Sequence, residues 1–208
     1  MFGRFTGREQ GRRLLDRRKI PLAIGIAALA ALFVFSTSWW SQSVQRTIQS
    51  LGIVLIIACI LGRTWCSFFI GGRKTYELIE SGPYSVVRHP LYAFSVVGAA
   101  GVGAQSRTLS LAIVSAAYMA IVLLRRIMDE EREMLRIHGD SYRDYVARVP
   151  RLLPGAPPWR WPRKLIPRPR GVLRTLVDSC YLLLTVPLAE ILLHLQRAGD
   201  VPVIFWLP

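Results

Sequence analysis

The sequence has few acidic residues and few cysteines, and both shortages narrow the possible classes of protein. Only 13 of its 208 residues are Asp or Glu, against 27 Lys or Arg, so the formal net charge is +14. The three cysteines are an odd number and lie in apolar stretches, which argues against a disulfide scaffold. Charged residues make up 19% of the chain and hydrophobic residues 52%. This composition excludes a disordered chain, and no internal repeat is evident.

Charge is absent from several long apolar runs, which predict membrane-spanning helices. Residues 20–40 contain no charged side chain, and a helix of that length spans about 31 Å, the thickness of a bilayer's hydrocarbon core. A cleaved signal peptide is the alternative for this run, but its basic lead is long and its apolar part exceeds a usual signal. The further apolar runs are 48–70, 91–104, 108–124 and 172–195. We therefore predict an all-α integral membrane bundle of about five transmembrane helices.

The basic residues are segregated between the apolar runs, and this predicts the orientation of the chain. If the N-terminus is cytoplasmic, then residues 1–19, 71–90 and 125–174 are cytoplasmic and hold 23 basic residues. Only Arg46, Arg107 and Arg197 fall on the opposite side. Basic loops are retained in the cytoplasm, so we predict a cytoplasmic N-terminus and a C-terminus on the other side. The charge excess thus reports contact with the lipid bilayer, and no nucleic-acid partner is expected.

The chain therefore divides into five segments that differ in composition. The segments are a basic cytoplasmic N-terminus at 1–19, transmembrane helices one and two at 20–70, a region at 71–154 that holds the polar motifs and helices three and four, a membrane-surface strap rich in Pro, Arg and Trp at 155–171, and a fifth helix with its tail at 172–208.

The polar segment 71–92 is a candidate for chemistry at the membrane surface. Its glycines and prolines favour irregular backbone, and Pro90 disfavours the α conformation for His89. The side chains that this loop brings together are Tyr84, Arg88, His89 and Tyr92. A loop whose arginine reaches the headgroups and whose tyrosines anchor there is the alternative. That alternative explains a His-Pro pair poorly.

A long helix follows the fourth apolar run and projects beyond the membrane. Residues 108–138 contain no Pro or Gly, which gives about 46 Å of helix. Arg126 and Glu130 share a face, whereas Glu131 shares a face with apolar residues and must be paired or functional. The alternative for this charged part is an exposed helix whose side chains form ion pairs with one another. Gly139 is expected to end the helix.

These motifs, taken together, resemble a known family. The pattern Gly82-Pro83-Tyr84-x3-Arg88-His89-Pro90-x-Tyr92, then Glu130-Glu131, then Gly139-x2-Tyr142-x2-Tyr145 and Val149-Pro150 resembles the isoprenylcysteine carboxyl methyltransferase family and, more broadly, membrane phospholipid methyltransferases. The resemblance covers residues 69–154. It implies an integral membrane enzyme with a cytoplasmic pocket for S-adenosylmethionine and a lipidic acceptor that enters between helices.

The resemblance also implies roles for individual residues. Arg126 matches the arginine that faces the acceptor. Tyr76 stands where the family usually has His. This chain also lacks the extra N-terminal helices of eukaryotic members and adds a fifth apolar segment. The acceptor could therefore differ from a prenylated cysteine. The cofactor contacts implied by the resemblance are Tyr76, Leu78, Ile79, Tyr84, His89, Pro90, Leu91, Tyr92, Glu130 and Tyr142.

The chemistry of methyl transfer leaves alternatives for the acceptor. A lipidic or small hydrophobic carboxylate would be ionised at neutral pH, would need no base, and would be held by Arg126 or Arg88. An amine or thiol acceptor would need a general base, for which Glu131 and His89 are the candidates. No Cys/His spacing suggests a metal site. A non-enzymatic transporter or scaffold is the remaining alternative, but a transporter should carry ionisable residues midway through several helices, and the first, third and fourth have none.

Overall fold

The described part of the molecule is almost entirely helical. The computed structural model describes residues 6–70, 78–155, 158–162 and 168–208, with side chains from residue 21 onward. Two three-residue strands, β1 (Ser36–Ser38) and β2 (Phe205–Leu207), pair in parallel with Ser36 opposite Phe205. The predicted all-α class is confirmed. The helices are α1 (Thr6–Phe35), α2 (Gln42–Ile70), α3 (Pro90–Ala104), α4 (Leu109–Arg148), α5 (Pro169–Cys180) and α6 (Thr185–Ala198).

Three described helical stretches are long and apolar enough to cross a membrane. They are Gln42–Ile70, Leu109–Arg148 and Pro169–Ala198, and the last runs from α5 to α6 through a 3₁₀ turn at Tyr181–Leu184. Two shorter apolar helices, Pro21–Phe35 and Pro90–Ala104, lie where the first and third spans were predicted. The chain therefore forms an integral membrane helical bundle.

Helices α2 and α3 approach each other closely at two glycines. A Cβ built on Gly52 would lie 2.9 Å from the carbonyl oxygen of Gly101, and one built on Gly101 would lie 2.7 Å from that of Gly52. Small residues permit such an approach in lipid, where van der Waals contact drives helix association. Ile56, which is fully buried, packs beside this crossing.

The turn between α3 and α4 fastens the last helix to the bundle. Arg107 is buried, and its Nε donates to Oε1 of Gln49 on α2 at 3.0 Å. Its Nη2 donates to Oε1 of Glu190 on α6 at 3.1 Å. Ser110 N donates to the carbonyl oxygen of Pro208 at 2.9 Å. The β1–β2 pair and this turn therefore lie at the same end of the bundle.

Helix α4 continues past its apolar part and changes direction at a glycine. Its continuous apolar run ends at Leu124, and charged residues predominate after it. Gly139 has φ 53° and ψ −122°, which lies outside the helical region, and a second helical segment follows it directly as far as Arg148. The expected stop at Gly139 is thus a break between two helical segments.

The segment after α4 packs on the polar loop that precedes α3. Gly82 N donates to the carbonyl oxygen of Arg160 at 2.7 Å, and Arg160 N donates to Oγ of Ser85 at 3.1 Å. The Trp159 ring stacks on Trp65 of α2 with centroids 5.6 Å apart. Residues 158–160 of the predicted membrane-surface strap therefore contact protein, and its residues 156–157 and 163–167 lie outside the described part.

Candidate active site

The polar loop before α3 is held in place by the backbone that follows α4. Arg88 N donates to the carbonyl oxygen of Pro150 at 2.8 Å, and His89 N donates to that of Arg151 at 3.1 Å. His89 has φ −126° and ψ 60°, outside the α region, as Pro90 requires. Tyr145 donates its hydroxyl to the carbonyl oxygen of Tyr84 at 2.7 Å. Two segments about sixty residues apart in sequence thus form one wall.

This wall, the start of α3 and the charged part of α4 enclose a cavity of about 250 Å³. Its surface combines apolar side chains, aromatic rings and two carboxylates, the combination typical of a small-molecule pocket. Its lining includes nine residues singled out from the sequence, which are Leu78, Ile79, Tyr84, Arg88, His89, Leu91, Tyr92, Glu130 and Tyr142.

Glu130 is one of the two carboxylates that line the cavity. The Tyr92 hydroxyl donates to its Oε1. Nδ1 of His89 lies 3.9 Å from its Oε2, and Nε of Arg126 lies 3.5 Å from its Oε1. The i,i+4 pairing of Arg126 with Glu130 is as the helical spacing predicts. The Glu130 side chain is 25% exposed.

Glu131 lies behind the cavity and binds two arginines. Its Oε1 accepts from Nη1 of Arg88 at 2.8 Å, and its Oε2 accepts from Nη2 of Arg151 at 2.7 Å. Nε2 of His89 lies 3.2 Å from Oε1. Burial opposes ionisation of Glu131, but the hydrogen bond from Arg151 and the charges of Arg88 and Arg151 hold its pKa below the usual value. The carboxylate that the sequence placed on an apolar face is therefore paired, as expected.

Aromatic rings form one side of the cavity. The His89 and Tyr92 rings stack with centroids 5.7 Å apart and an angle of 17° between their planes. The guanidinium carbon of Arg126 lies 6.0 Å from the Tyr92 ring centroid, at the limit of a cation–π contact. The Tyr84 hydroxyl is buried without a hydrogen-bond partner among the described residues, and burial raises its pKa well above the usual value.

Four predicted residues lie outside this lining. Pro90 is buried at the first turn of α3, and Glu131 lies one layer behind Arg88 and His89. The Arg126 side chain is 70% exposed and contacts the cavity through Glu130 and Tyr92. Tyr76 lies outside the described residues.

The cavity also contains residues that the sequence did not single out as ligand contacts. They are Ile70, Glu133, Met134 and Tyr145. Helical spacing could have found the two on α4, because Glu133 and Met134 follow Glu130 by three and four residues. Arg151 was missed as well, and no local pattern marks it, because it approaches Glu131 from beyond the break at Gly139.

Most of the candidate site lies in a part of the chain that matches a known family. The model of the isoprenylcysteine carboxyl methyltransferase (ICMT) family matches residues 47–136. The family resemblance is therefore confirmed for these residues. They include α3, the loop residues of the site and Glu130. The match ends before Tyr142 and Tyr145, which complete the wall.

Three curated proteins are similar in sequence to this chain. The nickel-cobalt-cadmium resistance protein NccN of Alcaligenes xylosoxydans xylosoxydans is 29% identical over 171 residues, which cover 81% of this chain and 80% of that protein. The cobalt-zinc-cadmium resistance protein CzcN of Cupriavidus metallidurans is 33% identical over 61% of this chain and 58% of its own. Protein-S-isoprenylcysteine O-methyltransferase B of Arabidopsis thaliana is 28% identical over 56% and 60%. No solved structure matches the chain significantly.

Proposed function

We propose that this protein is an integral membrane methyltransferase that uses S-adenosylmethionine to methylate a lipidic or small hydrophobic acceptor, with a carboxylate favoured. The observation that carries the proposal is the cavity in which Tyr92, His89 and Glu130 converge beside Arg126. The ICMT family match over residues 47–136 supports it independently.

The side chains of the cavity fit the cofactor. A carboxylate such as Glu130 can accept from ribose hydroxyls or from an ammonium group. The stacked rings of His89 and Tyr92 offer faces for a planar base or a sulfonium cation. The buried hydroxyl of Tyr84, which has no described partner, offers a further polar contact. When bound, S-adenosylmethionine supplies a methyl group already activated on a positively charged sulfur.

With such a cofactor the protein must chiefly bind, align and exclude water. Arg126 is mostly exposed next to Glu130, and in this proposal it holds an anionic acceptor beside the cavity. Glu131 is held by Arg88 and Arg151, and its lowered pKa makes it a weak base. We therefore assign Arg126 to the acceptor, and we assign Arg88 and Glu131 to positioning the loop that carries His89. This arrangement favours a carboxylate acceptor, which needs no base.

The names of NccN and CzcN describe resistance to metals in those proteins. Among the described residues of this chain, no group of three or more His, Cys, Asp and Glu side chains is placed to hold a metal ion. The proposal therefore rests on the cavity. An amine or thiol acceptor is the alternative chemistry, with His89 as the candidate base.

Cofactor binding tests the proposal most directly. Titration calorimetry of the purified protein with S-adenosylhomocysteine should show binding, and Glu130→Gln should weaken it about tenfold because a charged hydrogen-bond acceptor is lost. Asp129→Asn is the matched control, since this exposed neighbour bonds Arg132 on the same helix. No binding by the unmodified protein at near-millimolar ligand, or equal binding by the Glu130→Gln variant, would contradict the cofactor assignment.

The acceptor can be identified with labelled S-adenosylmethionine and a cell lipid extract. We expect a labelled ester, which mild base releases as methanol, whereas N-methyl and S-methyl products resist that treatment. Arg126→Ala should lower the rate of labelling by about tenfold or more while leaving affinity for S-adenosylhomocysteine within twofold. Arg125→Ala, an exposed arginine next to it, is the control. A base-stable product would contradict the carboxylate acceptor.

A further inference from the structure

A second cavity lies within the apolar part of the bundle. It measures about 690 Å³ and lies among α1, α3, α4 and α6, with Cys59 and Arg63 of α2 at its wall. Most of its lining is apolar, and Phe33, Val102, Leu111, Met119 and Leu188 are representative. Arg63 is the single charged residue among the described residues that line it.

Arg63 is held by two serines and by no described carboxylate. Its Nε donates to Oγ of Ser179 at 2.9 Å, and its Nη1 donates to Oγ of Ser95. Each serine hydroxyl donates onward to a carbonyl oxygen of its own helix, at 2.7 Å for Ser179 and 2.8 Å for Ser95. These bonds use two of the five N–H groups of a guanidinium. They fix the position of the Arg63 head and leave its charge without a counter-ion among the described residues.

A fixed positive charge at an apolar cavity is costly in a membrane protein. Ionisable side chains inside spans are rare, pair with an opposite charge or mark a ligand path. Neutral hydroxyls satisfy hydrogen bonds but do not neutralise charge. An anion that shares the cavity with Arg63 would do so, and a carboxylate fits the planar fork of a guanidinium.

We propose that this cavity binds a long-chain carboxylate, with the carboxylate on Arg63 and the hydrocarbon chain between α1 and α6. A phospholipid headgroup carries many polar atoms that would need partners in an apolar site. Beyond Arg63 the described lining offers few polar groups, which are Ser95, Ser115, Tyr118 and Thr185. A single acidic head with one apolar chain matches this lining best.

The Arg63 cavity and the proposed methyl-transfer cavity have different linings. Arg63 precedes Ile70, which lines the first cavity, by seven residues, or about 10 Å along α2. The Arg63 head is nearer to that cavity, because Ser95, which accepts from its Nη1, follows Tyr92 by three residues and Leu91 by four, or about one helical turn. The two cavities share no lining residue among those described and are therefore neighbouring sites. The inference stands whether or not the proposed transferase activity is correct.

Photo-crosslinking tests this site. The full-length protein in phosphatidylcholine nanodiscs is irradiated with a diazirine-bearing palmitic acid, and labelled peptides are mapped by mass spectrometry. We expect labels on the cavity-facing parts of α1 and α6, which excess palmitate removes and hexadecanol does not. Arg63→Gln should reduce labelling about tenfold, and Arg63→Lys should reduce it less because it keeps the charge without the fork.

Two further variants separate charge recognition from folding. Arg132→Gln removes an exposed arginine from the charged part of α4, and this variant should be labelled as strongly as the unmodified protein. Ala99→Phe fills the cavity without altering charge and should also reduce labelling. Circular dichroism melts establish that each variant is folded. Equal labelling of the unmodified protein and a folded Arg63→Gln variant, or equal competition by hexadecanol, would overturn the proposal. Equal competition by phosphatidylglycerol would overturn the choice of a single-chain carboxylate.

Discussion

Glu130 and Glu131 are adjacent in the chain but occupy different environments. Successive residues of a helix point about 100° apart, so one carboxylate faces the cavity while the next faces the loop behind it. Glu130 contacts Tyr92 and Arg126, and Glu131 contacts Arg88 and Arg151. We infer that Glu130 binds the ligand and that Glu131 holds the loop before α3 against the segment after α4.

The pairing of Glu131 predicts an acid-dependent stability. Its pKa is lowered in the folded protein, so ionised Glu131 stabilises the fold fully above its unfolded pKa, near pH 4.5. This contribution is lost as the pH falls through the lower, folded pKa. Glu131→Gln should therefore lower the melting temperature at pH 7, at a cost of about 1–3 kcal/mol, because two arginines lose their anion. The difference from the unmodified protein should shrink below about pH 4.

A matched control for this prediction is Glu133→Gln. Glu133 also bonds an arginine, Arg136, but both groups are largely exposed. Exposed pairs contribute little, so its melting temperature should change by less than that of Glu131→Gln at every pH. A Glu131→Gln variant that melts with the unmodified protein at pH 7 would show that the cluster does not stabilise the wall.

The sequence reveals contacts within one helix and hides those between segments distant in the chain. The Arg126–Glu130 pair follows from helical spacing alone. The family motif brought His89, Tyr92 and Glu130 into one group without giving their geometry. The contact between Glu131 and Arg151 could not be predicted, because it depends on the direction of the chain after Gly139 and Pro150.

At the scale of elements, α4 connects the membrane to the site. Its apolar part packs in the bundle, its charged part carries Glu130, and the break at Gly139 directs the final segment toward the loop. Tyr142, Tyr145 and Val149 of that segment form a buried cluster with which Leu78 and Met134 make contact. The first segment of α4 and its end at Gly139 were readable from the sequence, but the direction of the chain after the break was not.

The break at Gly139 can be tested by substitution. Its positive φ is unfavourable for any residue with a Cβ, whereas a Cβ there would meet no atom within 4 Å. Gly139→Ala should therefore destabilise the protein by about 1–3 kcal/mol through backbone strain alone. It should also weaken S-adenosylhomocysteine binding, because Tyr142 and Tyr145 lose their positions.

Gly171→Ala is the control for this substitution. A Cβ at Gly171 also meets no atom within 4 Å, and this residue lies in the first turn of α5. It should keep normal binding and an equal or higher melting temperature, because Ala favours a helix over Gly. Equal melting temperatures for Gly139→Ala and the unmodified protein would show that the break tolerates a side chain.

At the scale of the whole molecule, the two ends of the bundle differ in construction. One end carries the candidate site, its ion pairs and most of the basic residues whose side chains the structure describes. The other end is closed by the β1–β2 pair and by Arg107, which joins α2 to α6. The sequence predicted the segregation of charge through the positive residues between spans. The Arg107 contacts were hidden because their partners lie 58 and 83 residues away.

This asymmetry predicts that the site faces the cytoplasm, and single cysteines can report it. Asp140 lies at the site end, whereas Ser41 and Asp200 lie at the other end, and all three are exposed. In spheroplasts, a membrane-impermeant maleimide should label Ser41→Cys and Asp200→Cys at once and Asp140→Cys only after permeabilisation. The native cysteines, of which two are buried, are replaced by alanine to remove background. The reverse pattern would contradict the orientation, because the 23 basic residues would then lie outside.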